Sequence, residues 1–145
     1  MIESILLVDD ESLFHLVFED SCSLLDISLS LNSIDSADEA EKRFKKWFEE
    51  KDTESKPECV FVDLNIVGSS FDGIELVRRI NFQYGNHVVI GIISSSNEPE
   101  EQAKAIQAGA QFWIIKSDDI EPRLEEFRKD YEGYKNRTAP FKIYK

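Results

Sequence analysis

Short apolar runs recur along the chain, and four of them lead into a residue able to do chemistry. Ser4-Ile5-Leu6-Leu7-Val8 is followed by Asp9. Cys59-Val60-Phe61-Val62 is followed by Asp63. A run from His87 to Ile92 leads to Ser94, and Phe112 to Ile115 is followed by Lys116. These runs are continuous rather than alternating, so they read as strands covered on both faces, as in the middle of a parallel sheet. Ile27 to Leu31 alternates as Ile-Ser-Leu-Ser-Leu and reads as a strand with one more exposed face.

Helical patterns fill the intervals. Leu13, Phe14, Leu16, Val17 and Phe18 open a helix that runs to about Leu25. Ala37, Ala40, Phe44, Trp47 and Phe48 follow a cap at Asp35 or Ser36, which makes Trp47 core packing rather than a binding platform. Ile74, Leu76, Val77 and Ile80 follow Asp72-Gly73. Ala103, Ile106 and Ala108 lie between Pro99 and the glycine stop at Gly109. Ile120, Leu124, Phe127, Tyr131 and Tyr134 make the buried stripe of a last helix. Lys51 to Pro57 and Asn65 to Phe71 read as loops.

Five strands alternating with five helices predict a parallel sheet with helices on both faces and right-handed crossovers. The 145 residues make one domain over 1–134, followed by a short basic and aromatic tail, 135–145, with no output domain expected. Phe141, Ile143 and Tyr144 of that tail either fold back onto the body or dock a partner.

Charge narrows the function. The formal net charge of -12 repels phosphate backbones and anionic lipid, so neither nucleic acid nor membrane is an expected partner. No apolar run approaches a membrane span or a signal-peptide core, so a cytoplasmic location is expected. Cys22 and Cys59 sit in apolar contexts and read as buried free thiols. No cysteine pair lies near His15 or His87, which leaves a zinc site without support.

In a parallel sheet the strand ends share one edge, where open α/β folds place their ligands. Asp9, Asp10, Asp63, Ser94 and Lys116 would therefore converge. The ordinary reading of Asp9-Asp10-Glu11 alone is helix capping, but capping does not account for the other strand ends. Clustered carboxylates call for a cation, and hard oxygen ligands suit Mg²⁺. Asp63 is then a nucleophile that accepts a phosphoryl group. Lys116 offsets charge on the phosphoryl oxygens, and the Ser94 hydroxyl donates to one of them.

These residues resemble those of the receiver domain of bacterial response regulators, over roughly residues 3 to 134. The resemblance is carried by Leu6-Leu7-Val8-Asp9-Asp10, by Asp63-Leu64-Asn65 with Asp72-Gly73 after it, by Ser94, and by Ala108-Gly109-Ala110 followed by Lys116. It implies an α/β, flavodoxin-like (βα)5 doubly wound parallel sheet with strand order 2-1-3-4-5. It also implies a signalling phosphoacceptor rather than an enzyme, one that assists its own phosphorylation and dephosphorylation. The donor would be a sensor histidine kinase or a phosphotransfer protein. Asp63 would be the phosphoacceptor and would ligate Mg²⁺ together with Asp10, with Asp9 partly through water, and with the backbone carbonyl of Asn65. Ser94 would be the switch hydroxyl, and Trp113 would stand at the switch aromatic position. The output would be a protein contact with an unnamed target through the fourth helix, fifth strand and fifth helix, Trp113 included, made by a monomer or a phosphorylation-dependent dimer.

The chain departs from the family at three points. Ile66-Val67 replaces Met-Pro, and the stretch to Asp72 is about two residues longer, which predicts a more mobile loop. Ser117 replaces the proline that commonly follows the lysine, so either a costly cis bond or a rearranged loop is expected. Trp113 is larger than the usual Tyr or Phe. The alternative reading is a receiver-like module that binds without being phosphorylated. A metal-dependent hydrolase is disfavoured, because Asn65 stands where such enzymes carry a second acid.

Overall fold

The computed structural model describes residues 2–25, 30–50 and 56–145. Its strands are β1 (Ser4–Val8), β2 (Ser30–Ile34), β3 (Cys59–Asp63), β4 (Val89–Ser94), β5 (Phe112–Ile115) and β6 (Lys142–Tyr144). Its helices are α1 (Ser12–Leu24), α2 (Ala37–Phe48), α3 (Gly73–Tyr84), α4 (Pro99–Ala108) and α5 (Glu121–Lys135). All strand pairs are parallel, in the order β2-β1-β3-β4-β5-β6. The doubly wound, flavodoxin-like sheet is as expected, with one strand added at its β5 edge. Of the alternating stretch Ile27 to Leu31, residues 27–29 lie outside the described residues, as do 51–55 of the loop Lys51 to Pro57.

Because side chains alternate along each strand, the sheet separates two cores. One holds Leu6, Val8, Val60, Val62, Ile90, Ile92 and Trp113 against α2, α3 and α4. The other holds Ile5, Leu7, Phe61, Ile93, Phe112 and Ile114 against α1 and α5. Phe112, Phe127 and Phe61 form a ring cluster on the second face, with Phe112–Phe127 centroids 4.5 Å apart and Phe61–Phe127 5.3 Å apart. Gly91 makes room for it, since a Cβ there would come within 2.5 Å of the Phe112 ring. Cys22 and Cys59 are both free and buried in this core.

The helix stripes follow the sequence pattern except on α4. Ser36 caps α2, its hydroxyl accepting from Glu39 N–H (3.1 Å), and Trp47 is buried against Phe44. On α4 the buried positions are Gln102, Ala105 and Ala108, while Ala103 is exposed and Ile106 is half exposed. The helix turns a polar residue inward because that residue is satisfied there: Gln102 Nε2 donates to Asn97 Oδ1 at 2.8 Å. On α1, Phe14, Phe18 and Cys22 face the core and Leu13 and Leu16 face outward.

The tail folds back. Phe112, Trp113 and Ile114 stand in register with Lys142, Ile143 and Tyr144. Tyr144 is buried, its hydroxyl 2.8 Å from that of Tyr134 and donating to Asp130 Oδ2 at 2.7 Å. Three residues are too short a run to stand out as a strand in sequence, and the pairing depends on β5 offering an open edge.

Trp47→Ala is expected to cost about 3–5 kcal/mol of stability, the range for emptying a large buried aromatic site. Urea unfolding followed by far-UV circular dichroism checks this, and a near-neutral result would remove Trp47 from the core.

Candidate functional site

The order β2-β1-β3-β4-β5 reverses direction beside β1, and the loops after β1 and β3 leave the sheet there to opposite faces. Asp9 and Asp10 follow β1, and Asp63 is the last residue of β3. One oxygen from each of these three side chains lies within 4.8 Å of the others. Asp9 is fully buried and Asp63 is 6% exposed. Burial, then the neighbouring charge of Asp9, pushes the Asp63 carboxyl up to about 7; Lys116 opposes this, and Asp10 and Glu11 add to it.

Lys116, one residue past β5, reaches into this acidic site. Its ammonium lies 2.7 Å from Asp9 Oδ2, 3.4 Å from Glu11 Oε1 and 3.6 Å from Asp63 Oδ2. Burial draws its pKa down, but the bond to Asp9 and the charges of Asp63, Asp9 and Glu11 outweigh that, and the net shift is upward. The stem lies over the Phe14 ring, with the ammonium 4.4 Å from its centroid. The backbone fixes the approach, because Lys116 N–H donates to Ser94 O at 2.8 Å.

The acids after β1 are not helix caps. Glu11 holds the N-cap position of α1 without a side-chain cap bond. Asp9 Oδ1 accepts from Glu11 N–H at 2.8 Å, His15 Nε2 meets the Asp9 carbonyl, and Asp10 Oδ2 accepts from Val67 N–H at 3.1 Å. The last bond ties the long β3–α3 loop to the site. Two more anchor the loop to α2: Ala37 N–H donates to Ser69 Oγ (2.9 Å), and Ser70 N–H donates to Asp38 Oδ2 (2.8 Å). Phe71 closes the loop beneath the Arg79 guanidinium, 3.8 Å from its centroid, and Arg79 pairs with Glu41 and Glu75. The longer loop is thus tied both to the acidic site and to α2.

Gly73 opens α3 directly against β3. A Cβ there would fall 2.0 Å from the Asp63 carbonyl oxygen, and Gly73 N–H donates to Leu64 O at 3.0 Å. Asp72 caps the helix by accepting from Glu75 N–H at 2.9 Å. Asn65 is exposed two residues beyond Asp63.

Ser94 ends β4 and Trp113 lies within β5, the two strands beyond β3. Ser94 is one residue past Ile93, the register partner of Asp63, and its buried hydroxyl accepts from Ser96 N–H at 3.1 Å. Trp113 is fully buried and its indole N–H donates to Ser96 O at 3.0 Å. The expected output surface therefore does not include Trp113 as an exposed residue: the large ring fills the core below the β4–α4 loop, with Ile143 of β6 beside it in register. The Lys116–Ser117 bond is trans, as are all those of the described residues, and Ser117 Oγ accepts from Arg123 instead. The sequence places Glu11 only among the capping acids, yet its carboxylate faces the Lys116 ammonium. Glu11 adjoins the acidic pair in sequence, which was a usable signal. Ser96 acts through main-chain groups that no residue pattern encodes.

The donor set suits Mg²⁺. Asp9 Oδ2 is buried against the Lys116 ammonium, and three clustered carboxylates with that one ammonium leave negative charge uncompensated. An aspartate raised in the fold holds its proton between about pH 4 and 7 while the unfolded chain has released it. The folded state is thus progressively disfavoured as pH rises through that window. Asp63→Asn is accordingly expected to stabilise the metal-free chain, with the gain growing from pH 4 to 7 and level above. Thermal unfolding in chelator across that range checks it, and added Mg²⁺ should shrink the gain at pH 8. Gly73→Ala is expected to cost about 1–3 kcal/mol by forcing α3 away from β3, read from urea midpoints.

Comparison with known proteins agrees with this geometry. Among curated proteins none matches the sequence. NtrX from Brucella abortus superposes with a TM-score of 0.76 at 24% identity, covering 94% of this chain and 28% of NtrX, so the chain spans little more than a quarter of that protein. The phosphorylated cyanobacterial phytochrome response regulator RcpA superposes at 0.72 with 18% identity, covering 96% of this chain and 97% of RcpA. The chemotaxis response regulator CheY4 of Vibrio cholerae gives 0.71 at 16% identity, covering 89% and 98%. The family model of the response regulator receiver domain matches residues 5–126, most of the chain, and the protein belongs to that family.

Proposed function

We propose that Asp63 accepts a phosphoryl group from a phospho-histidine of a sensor histidine kinase or phosphotransfer protein, with Mg²⁺ required. The chain then signals through protein contacts that depend on that phosphorylation. The observation that carries this reading is the position of Lys116, within ion-pair reach of both Asp9 and Asp63 while all three side chains are buried.

Asp63 ends a strand held on both sides and backed by Gly73, so its carboxylate has little freedom to recoil from an incoming phosphorus. One of its oxygens forms the new P–O bond as the P–N bond of the donor breaks. The electron pair leaves with the imidazole nitrogen, which takes up a proton. Asp9, Asp10, Asp63 and the Asn65 carbonyl would hold Mg²⁺, which when bound offsets charge shared between carboxylates and phosphoryl oxygens. The Lys116 ammonium is already placed to offset the same charge. Ser94 would serve as the switch hydroxyl by exchanging its Ser96 N–H bond for one to a phosphoryl oxygen, and Trp113, bonded to Ser96 O, would feel that exchange. The phosphorylated state in which RcpA was solved lends support from a protein of the same fold. Leu13 and Leu16, exposed on α1 just beyond the acids, give the donor protein an apolar surface to rest on.

Intact mass after incubation with acetyl phosphate and Mg²⁺ tests the proposal. One phosphoryl group should be gained by the wild type and by neither Asp63→Asn nor a chelator-treated sample. If the wild type gains nothing from acetyl phosphate or from a phosphorylated histidine donor, the receiver binds its partners without phosphorylation.

A further inference from the structure

β6 sits where the sheet would otherwise end. It adds three residues to β5, and Phe141 and Ile143 pack against the core cluster that contains Trp113. Trp113 N–H holds Ser96 O, and Ser96 N–H holds Ser94 Oγ. A continuous line of contacts thus runs from the end of β4, through the β4–α4 loop and the indole, to the C-terminal strand. That line lies beside the proposed phosphoacceptor but needs no phosphate to exist.

The attachment of β6 is of a particular kind. Tyr144 is its one fully buried side chain, and Ile143 is only partly covered. Lys142 adds ion pairs to Glu126 (2.6 Å) and Asp130 (3.1 Å), all well exposed and so weak. The connection 136–141 is anchored at its start, where Thr138 and Ala139 N–H both donate to Gly133 O, and Arg137 takes a left-handed φ of 61°. A three-residue edge strand with a fixed hinge opens at lower cost than the body of a sheet. On opening it would leave the outer edge of β5 unpaired, with β4 still bonded on the other side, and would remove Ile143 from beside Trp113.

We infer that β6 is a latch: docked, it holds Trp113 inward and the β4–α4 loop with it; released, it frees that loop and uncovers the β5 edge. The latch is a two-position element, which is what a coupling between the loop and the sheet edge physically requires.

The test removes the strand and watches both ends of the line. A chain ending after Pro140, in a Trp47→Phe background so that Trp113 alone emits, should show red-shifted emission and a several-fold rise in acrylamide quenching. Hydrogen exchange should quicken at Phe112–Ile115 and also at Ser96 and Glu98, with far-UV circular dichroism retained. Lys142→Glu, which sets a third acid against Glu126 and Asp130 and removes the ammonium from over the Tyr144 ring, should give the same changes in smaller measure. If the shortened chain loses its fold, the Lys142→Glu variant decides alone. Unchanged Trp113 quenching overturns the inference. So does faster exchange in β5 with none at Ser96 and Glu98, since β6 would then be an edge cover uncoupled from the loop. The same readouts in an Asp63→Asn background apply whether or not the chain accepts phosphate, so failure of the phosphoacceptor reading would leave this result standing.

Discussion

The structure turns on confining several negative charges and one positive charge below the protein surface. Two like charges about 4 Å apart repel by about 4 kcal/mol at the effective dielectric of a protein near its surface. Asp9, Asp10 and Asp63 are held this close because each is fixed by the backbone at a strand end rather than by its own side-chain preference. Lys116 arrives from a third strand end and offsets part of the repulsion. Burial first, and the remaining repulsion after it, hold the Asp63 carboxyl up at about 7. Such a site stores unfavourable energy that a bound cation can release, and its parallel sheet, with no hairpin to relax, keeps it from spreading.

The surroundings of the site serve that confinement. Gly73 lets α3 begin against the Asp63 carbonyl, where any side chain would intrude. The long β3–α3 loop, a departure from the family pattern, is tied to its neighbours through Asp10, Ser69 and Asp38. Ser117 in place of proline is accommodated by a trans bond and an Arg123 contact. Each departure has been absorbed by polar contacts that the family pattern does not contain.

Trp113 joins the loop after β4 to the edge of the sheet. Its indole is enclosed, hydrogen-bonded to the β4–α4 loop and neighboured by a sixth strand. The aromatic cluster on the opposite face, from Phe61 through Phe127 to Tyr134 and Tyr144, anchors the same strand from the other side. The β5 edge is therefore occupied by the chain's own C-terminus, and any surface formed by α4, β5 and α5 includes β6.

Much of the fold and of the candidate site was legible in the chain itself. Continuous apolar runs have one physical explanation at this length, burial on both faces of a sheet, and the residue that follows each run inherits a place at the sheet edge. That is why Asp9, Asp63, Ser94 and Lys116 could be brought together on paper. Local chemistry likewise fixed the Ser36 and Asp72 caps and the Gly109 stop. Tertiary structure alone decided what depends on distant partners. The face of α4 was set by Asn97 satisfying Gln102, not by the weak periodicity of alanines. The buried indole of Trp113 donates to the Ser96 carbonyl, and its strand lies beside β6. The strand at Lys142–Tyr144 exists because β5 presents an unpaired edge to it, and three residues carry too little local preference to announce that on their own.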